Sequence, residues 1–113
     1  MLSETVDEQV IDKLTTKYPN RIPITVIFGK NVVQKSDIKN LKTKYLVPKN
    51  YTISKFMCIL RSKIDDLKVS QGLFLLINNE LPPVSESIGA IYDKRSNGKK
   101  YLEAHLILEN TFG

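Results

Sequence analysis

Two segments of the chain carry hydrophobic residues at helical spacing. The first begins at Thr5, which forms a capping-box pattern with Glu8, and it must end at Pro19. Its apolar residues are Val6, Val10, Ile11 and Leu14. The second follows Thr52, a residue suited to cap a helix, and is the most strongly periodic segment of the chain. Its apolar residues are Ile53, Phe56, Met57, Leu60 and Ile64. We predict a short amphipathic N-terminal helix and a main helix packed on the core.

Two other segments alternate residue by residue, as β-strands with one face on a core do. The segment from Ile22 to Phe28 is rich in β-branched residues. Its predicted core face carries Ile22, Ile24, Val26 and Phe28, and its other face carries Pro23, Thr25 and Ile27. The last such segment runs from Tyr101 to about Leu108. Along this segment, residues of one set alternate with those of another, namely Leu102, Ala104, Leu106 and Leu108 against Tyr101, Glu103, His105 and Ile107.

Two shorter runs are also predicted to be strands. Tyr45 to Val47 is a brief run that Pro48 stops. Leu73 to Ile77 is apolar at every position, which predicts a strand covered on both faces and placed inside the sheet. Ser85 is predicted to cap a short helix between the last two strands. The apolar residues of that helix are Ile88, Ile91 and Tyr92.

The predicted order is therefore helix, strand, strand, helix, strand, short helix, strand. Asparagine and glycine at 78–79 and 97–98 indicate turns, and the polar stretch at 34–43 indicates a loop. This order predicts an α+β domain in which one four-stranded mixed sheet packs on the main helix. The order alone leaves other α+β topologies open.

Length and composition favour one domain. A chain of 113 residues with 42% hydrophobic content can bury one core. Its longest apolar run is far shorter than the roughly 18 residues that a membrane-spanning helix requires. Acidic residues near the N-terminus do not fit a secretory signal, so we expect an intracellular protein. Cys58 is the single cysteine, so no internal disulfide or cysteine-rich zinc site is expected, and no metal or cofactor is predicted.

The formal charge of +5 favours acidic partners, which could be peptides, lipid headgroups or nucleic acid. Nucleic acid is disfavoured because the aromatic residues are not clustered with the lysines as a stacking platform requires. An enzyme is also disfavoured. His105 is the only histidine, and neither it nor Cys58 has a companion at a catalytic spacing.

Several short segments stand in the order and spacing of one protein family. They are 18–23 (YPNRIP), 35–38 (KSDI), 44–48 (KYLVP), 52–56 (TISKF), 78–83 (NNELPP), 90–92 (AIY) and 109–113 (ENTFG). From about residue 8 to the end, the chain resembles the autophagy-related protein 8 family of ubiquitin-like modifiers, which includes GABARAP and the microtubule-associated light chains. The resemblance implies the ubiquitin-like β-grasp fold. It implies a short N-terminal helical extension at 1–20, the ubiquitin-like domain at 21–109 and a conjugation tail at 110–113.

The resemblance also implies a function for Gly113. Enzymes similar to ubiquitin-activating and ubiquitin-conjugating enzymes would join its carboxylate to phosphatidylethanolamine, and a cysteine protease would process and later release the protein. Glycine suits this role because it lacks a Cβ and can thread narrow clefts. The protein is then not an enzyme itself. It is expected in the cytoplasm and, when lipidated, on autophagosomal or other cytoplasmic-vesicle membranes.

A second implied function is the binding of autophagy receptors that carry aromatic-x-x-aliphatic peptides. By resemblance, the aromatic pocket involves Leu14, Pro23, Thr25, Lys44, Leu46 and Tyr101. The aliphatic pocket involves Tyr45, Val47, Pro48, Phe56, Ile59 and Leu60. Acidic residues flanking the peptide would meet Arg21, Lys42, Lys44 and Lys63. The protein is expected to be a monomer that binds no nucleic acid.

Some of these residues have a plainer interpretation, and parts of the chain depart from the family pattern. Phe56, Ile59 and Leu60 lie on the most periodic helix and fit a core as well as a pocket, and Lys42 and Lys63 fit ordinary solvated lysines. The N-terminal region is shorter than in the family and the first hairpin is longer. Thr25 replaces an aliphatic residue, so the aromatic pocket should be less apolar. A peptide-docking adaptor that is poorly lipidated remains the alternative.

Overall fold

The computed structural model describes residues 8–29, 43–63 and 72–108. The elements are α1 (Glu8–Lys17), β1 (Arg21–Phe28), β2 (Lys44–Pro48), α2 (Ile53–Ser62), β3 (Leu73–Ile77), α3 (Ile88–Arg95) and β4 (Leu102–Leu108). The strands form one sheet in the order β2-β1-β4-β3. β1 and β4 are parallel, and the two outer pairs are antiparallel. The predicted α+β fold with a four-stranded mixed sheet is confirmed.

The core lies between one face of the sheet and the helices α2 and α3. Buried side chains come from every strand and from both helices. On α2 they are Ile53, Phe56 and Leu60, and on α3 they are Ile88 and Ile91. Thr52 begins α2 as predicted, because its side-chain oxygen accepts a hydrogen bond from the Lys55 amide at 3.1 Å. The predicted Ile64 lies outside the described residues, as does the Thr5 cap of α1.

β1 is buried on both faces over most of its length. Ile22, Ile24 and Val26 face the core as predicted, and Pro23 and Thr25 on the other face are also buried. The second face is buried because α1 packs against β1. Only towards the end of the strand does this cover cease, where the Ile27 side chain is 37% exposed.

β3 corrects the prediction of a strand inside the sheet. It is an edge strand that pairs with β4 alone. Leu73, Leu75 and Ile77 are buried on the core face, but Phe74 on the other face is 38% exposed. The continuous apolar run therefore does not mean that other elements cover both faces of β3. It combines a core face with an apolar outer face at the edge of the sheet.

The start of α3 is also corrected. The helix is capped by Ser87, whose side-chain oxygen accepts from the Ala90 amide at 3.2 Å, and not by Ser85. β4 begins at Leu102, one residue later than predicted. Leu102 pairs with Ile24, so the preceding pair in this parallel register would include Pro23, which has no N–H to extend the ladder. The turns at 78–79 and 97–98 are confirmed by residues with positive φ at all four positions.

In the described ranges, no helix is both long enough and apolar enough to cross a membrane.

Candidate peptide-binding groove

Among the described residues, no strand pairs with the outer edge of β2, so this edge presents backbone groups that a ligand can reach. The Val26 amide donates to the Thr43 carbonyl at 2.7 Å, which fixes the hydrogen-bonding phase of the β1–β2 ladder. In an antiparallel pair this phase alternates, so Tyr45 and Val47 bond with β1. The N–H and C=O groups of Lys44 and Leu46 then point away from β1, where an added strand can reach them.

A cavity of about 250 Å³ lies between α1 and the sheet beside this edge. All six residues predicted for the aromatic pocket line it, namely Leu14, Pro23, Thr25, Lys44, Leu46 and Tyr101. We call this cavity the aromatic pocket. Its remaining lining residues are Val10, Ile11, Ile24 and Tyr45. Val10 and Ile11 were predicted only as apolar residues of α1. Their place on the same apolar side of the helix as Leu14, which was predicted for the pocket, is the signal that could have indicated their role.

A second cavity of about 240 Å³ lies further along β2. It is lined by Arg21, Tyr45, Leu46, Val47, Pro48, Tyr51, Phe56 and Ile59. We call it the aliphatic pocket. Five of the six residues predicted for it are present, whereas Leu60 is 1% exposed, belongs to the core and is not among the lining residues. Tyr51 and Leu46 were not predicted here. That these two cavities bind a peptide remains a prediction.

Tyr45 joins the two pockets, because it lines both. Its ring meets the buried ring of Phe56 edge to face, with centroids 5.6 Å apart and an interplanar angle of 81°. Partial burial raises the pKa of the Tyr45 hydroxyl, so this group stays neutral at physiological pH. The wall between the pockets is therefore aromatic and uncharged.

Basic side chains stand at both ends of the groove. Lys44 is exposed at the aromatic pocket, and Arg21 lines the aliphatic pocket. Arg21 also lies 5.1 Å from the Tyr18 ring centroid, with Lys17 at 5.4 Å from the same ring. This places two cations on one aromatic side chain near the aliphatic end. Lys63 is exposed at the end of α2 and lines neither pocket.

Two predicted site residues, Lys42 and Gly113, lie outside the described residues. The last described residue is Leu108, at which β4 ends. His105 and Cys58 are on β4 and α2 respectively. His105 Nε2 lies 3.8 Å from Glu103 Oε1, and Cys58 is an exposed free thiol.

The mixed sheet grasping α2, with two pockets along one free edge, defines a ubiquitin-like protein of the β-grasp type. A sequence model described as "Autophagy protein Atg8 ubiquitin like" matches residues 7–113. The chain belongs to this Atg8 family of autophagy-related ubiquitin-like modifiers.

Individual relatives agree with this membership. Autophagy-related protein 8c of Arabidopsis thaliana is 35% identical over 102 residues, which cover 89% of this chain and 82% of the relative. Autophagy-related protein 8 of Vanderwaltozyma polyspora is 33% identical over 103 residues, covering 90% and 83%. The crystal structure of Trypanosoma brucei ATG8 is similar with a TM-score of 0.75 at 29% identity, covering 94% of this chain and 88% of that chain. The fold and the family predicted by resemblance are confirmed.

Proposed function

We propose that this modifier is conjugated through Gly113 to phosphatidylethanolamine and recruits receptors that carry aromatic-x-x-aliphatic peptides. The observation that carries the recruiting function is the pair of adjacent cavities on the free edge of β2. They share Tyr45 and Leu46, so two side chains of one short extended peptide can fill them together.

The direction of the peptide follows from the order of the pockets. The aromatic pocket is at the Lys44 end of β2, and the aliphatic pocket extends to Pro48. A peptide whose aromatic residue precedes its aliphatic residue must therefore run parallel to β2. Its backbone would bond with the outward N–H and C=O groups of Lys44 and Leu46.

The charges at the groove ends support acidic flanks on the peptide. Acidic residues before the aromatic anchor would meet Lys44, and those after the aliphatic anchor would meet Arg21. Both basic side chains are exposed, so these pairs would act mainly on the rate and orientation of encounter. Lys42 and Lys63 are further candidates for the same role.

Conjugation at Gly113 is proposed from family membership and the C-terminal sequence. The partners are enzymes of the ubiquitin-activating and ubiquitin-conjugating kinds and a cysteine protease that processes and delipidates the conjugate. The chain itself acts as a substrate and not as an enzyme. Its site of action is the cytoplasm and, once lipidated, the autophagosomal membrane.

A lipidation assay tests the conjugation. The protein is mixed with family activating and conjugating enzymes, ATP and phosphatidylethanolamine liposomes, and flotation measures the membrane-bound fraction. We expect the wild type and Asp93→Ala, an exposed substitution on α3, to float. We expect Gly113→Ala to stay in solution. A wild type that stays soluble while a known family member is lipidated would leave the alternative, a peptide-docking adaptor without a lipid anchor.

A further inference from the structure

Thr25 is a polar residue buried in the aromatic pocket. Its exposure is 7%, and it lies in the middle of β1. Its side chain makes no hydrogen bond in the described part of the chain, and no fully buried side-chain oxygen there lacks a partner, so the Thr25 hydroxyl oxygen keeps some access to solvent. It is the one buried polar or charged residue found there. Thr25 lines the cavity, and a hydroxyl on a largely buried residue that has no protein partner can be offered to a ligand.

The residues paired with Thr25 on the adjacent strands form no hydrogen bond with its hydroxyl. On its own face of the sheet it lies opposite Lys44 on β2 and beside Glu103 on β4, and both of these side chains are exposed. The rest of the inner lining is apolar apart from the hydroxyl ends of Tyr45 and Tyr101, which are only partly buried. A lysine ammonium can donate but cannot accept a hydrogen bond. Thr25 is thus the most buried of the three hydroxyl-bearing residues that line the pocket.

We propose that Thr25 makes the aromatic pocket select a ring that carries its own polar hydrogen. This inference rests on the peptide-binding function proposed above and names the residue that sets its preference. A tryptophan indole N–H or a tyrosine O–H can donate to the Thr25 hydroxyl, and the tyrosine oxygen can also accept from it. A phenylalanine ring excludes water from the hydroxyl and replaces it with no hydrogen bond.

The asymmetry between these ligands gives the selectivity. A site that hydrogen-bonds a ligand group discriminates strongly against the analogue that lacks it, because the buried polar group of the site is then left unpaired. A purely apolar pocket has no such basis for choice beyond the size of the ring. We expect Thr25 to contribute roughly a tenfold preference for tryptophan or tyrosine over phenylalanine.

The test uses three peptides that are identical except for tryptophan, tyrosine or phenylalanine at the aromatic position. Calorimetry measures their dissociation constants with the wild-type protein, Thr25→Val and Thr25→Ser. Valine keeps the β-branched shape and removes the hydroxyl, whereas serine keeps the hydroxyl. The preference is the ratio of the phenylalanine to the tryptophan dissociation constant. Comparing this ratio between proteins cancels the difference in ring size.

We expect the ratio to fall about tenfold in Thr25→Val and to be largely retained in Thr25→Ser. Peptides that bind all three proteins with an unchanged ratio overturn the inference and leave the peptide-binding function intact. A ratio that falls in Tyr45→Phe or Tyr101→Phe, but not in Thr25→Val, also overturns it by assigning the hydrogen bond to another hydroxyl. Failure of every peptide to bind the wild type overturns the peptide-binding function itself. Thermal unfolding of each variant checks that the comparison is between folded proteins.

Discussion

Pro23 of β1 lies directly opposite Leu46 of β2, and both residues line the aromatic pocket. The phase set by the hydrogen bond from Val26 to Thr43 makes this a non-hydrogen-bonded pair, in which side chains approach most closely. Proline therefore costs the β1–β2 ladder no hydrogen bond here. The two residues form a continuous apolar floor where the edge of the sheet meets α1.

The first prediction concerns this floor. Leu46→Ala should weaken binding of an aromatic-x-x-aliphatic peptide about tenfold, because Leu46 lines both pockets and its truncation removes buried contact from each. Fluorescence anisotropy of a labelled peptide measures the effect. Leu76→Ala is the matched control, since Leu76 is also partly buried but lies on β3, at the opposite edge of the sheet. Equal losses in the two variants would contradict a groove at β2.

A second prediction separates two neighbouring residues of α1. Val10 is 50% exposed and Ile11 is 3% exposed, although both line the aromatic pocket. Val10→Ala should change the free energy of unfolding by no more than about 0.5 kcal/mol and should still weaken peptide binding. Ile11→Ala should lower the free energy of unfolding by about 2 kcal/mol or more, since it leaves a cavity under the helix. Urea unfolding and peptide titration of both variants provide the two readouts.

The third prediction distinguishes core from pocket on α2. Leu60→Ala should cost about 2–5 kcal/mol of unfolding free energy, because Leu60 is 1% exposed within the core cluster. Ile59→Ala should cost much less and should reduce affinity for peptides with a large aliphatic anchor, because Ile59 is partly exposed and lines the aliphatic pocket. Stability loss in Ile59→Ala as large as in Leu60→Ala would exclude this division.

The fourth prediction assigns the two ends of the groove. Arg21→Ala should weaken peptides that carry acidic residues after the aliphatic anchor, and Lys44→Ala should weaken those with acidic residues before the aromatic anchor. Each loss should be about fivefold or less and should shrink as salt is raised, because the side chains are exposed. Stopped-flow binding should place most of each change in the association rate. The opposite pairing of variants and peptides would mean that the peptide runs antiparallel to β2.

The core face of this protein could be predicted from sequence, because burial there depends on local periodicity. Ile22, Ile24 and Val26 alternate with strand geometry, and the α2 residues recur with helical geometry, so each set faces one way whatever the rest of the chain does. The position of β3 could not be predicted in this way. An apolar run indicates that both faces of a strand are apolar. Whether that strand lies inside the sheet or at its edge depends on the order of the strands, which the run does not contain.

For the site, too, only part of the lining could be predicted from the sequence. The β2 residues of both pockets carry a recognisable motif, whereas Val10 and Ile11 enter the aromatic pocket only because α1 crosses β1 at that point. Leu60 shows the converse difficulty. Leu60 and its neighbour Ile59 are both branched aliphatic residues on α2, and only the packing of the helix on the sheet makes one a core residue and the other a lining residue.

The parallel pairing of β1 with β4 determines at which end of the sheet each strand finishes. Leu108 ends β4 toward the end of the sheet where β1 also finishes, whereas β2 runs the other way and finishes opposite Arg21. A peptide parallel to β2 would thus start at the end of the sheet where β4 finishes and lead away from that end. Under the lipidation proposed for Gly113, receptor residues upstream of the motif are expected on the side of the sheet from which the chain continues to the anchor. Receptor residues downstream of the motif are expected on the opposite side.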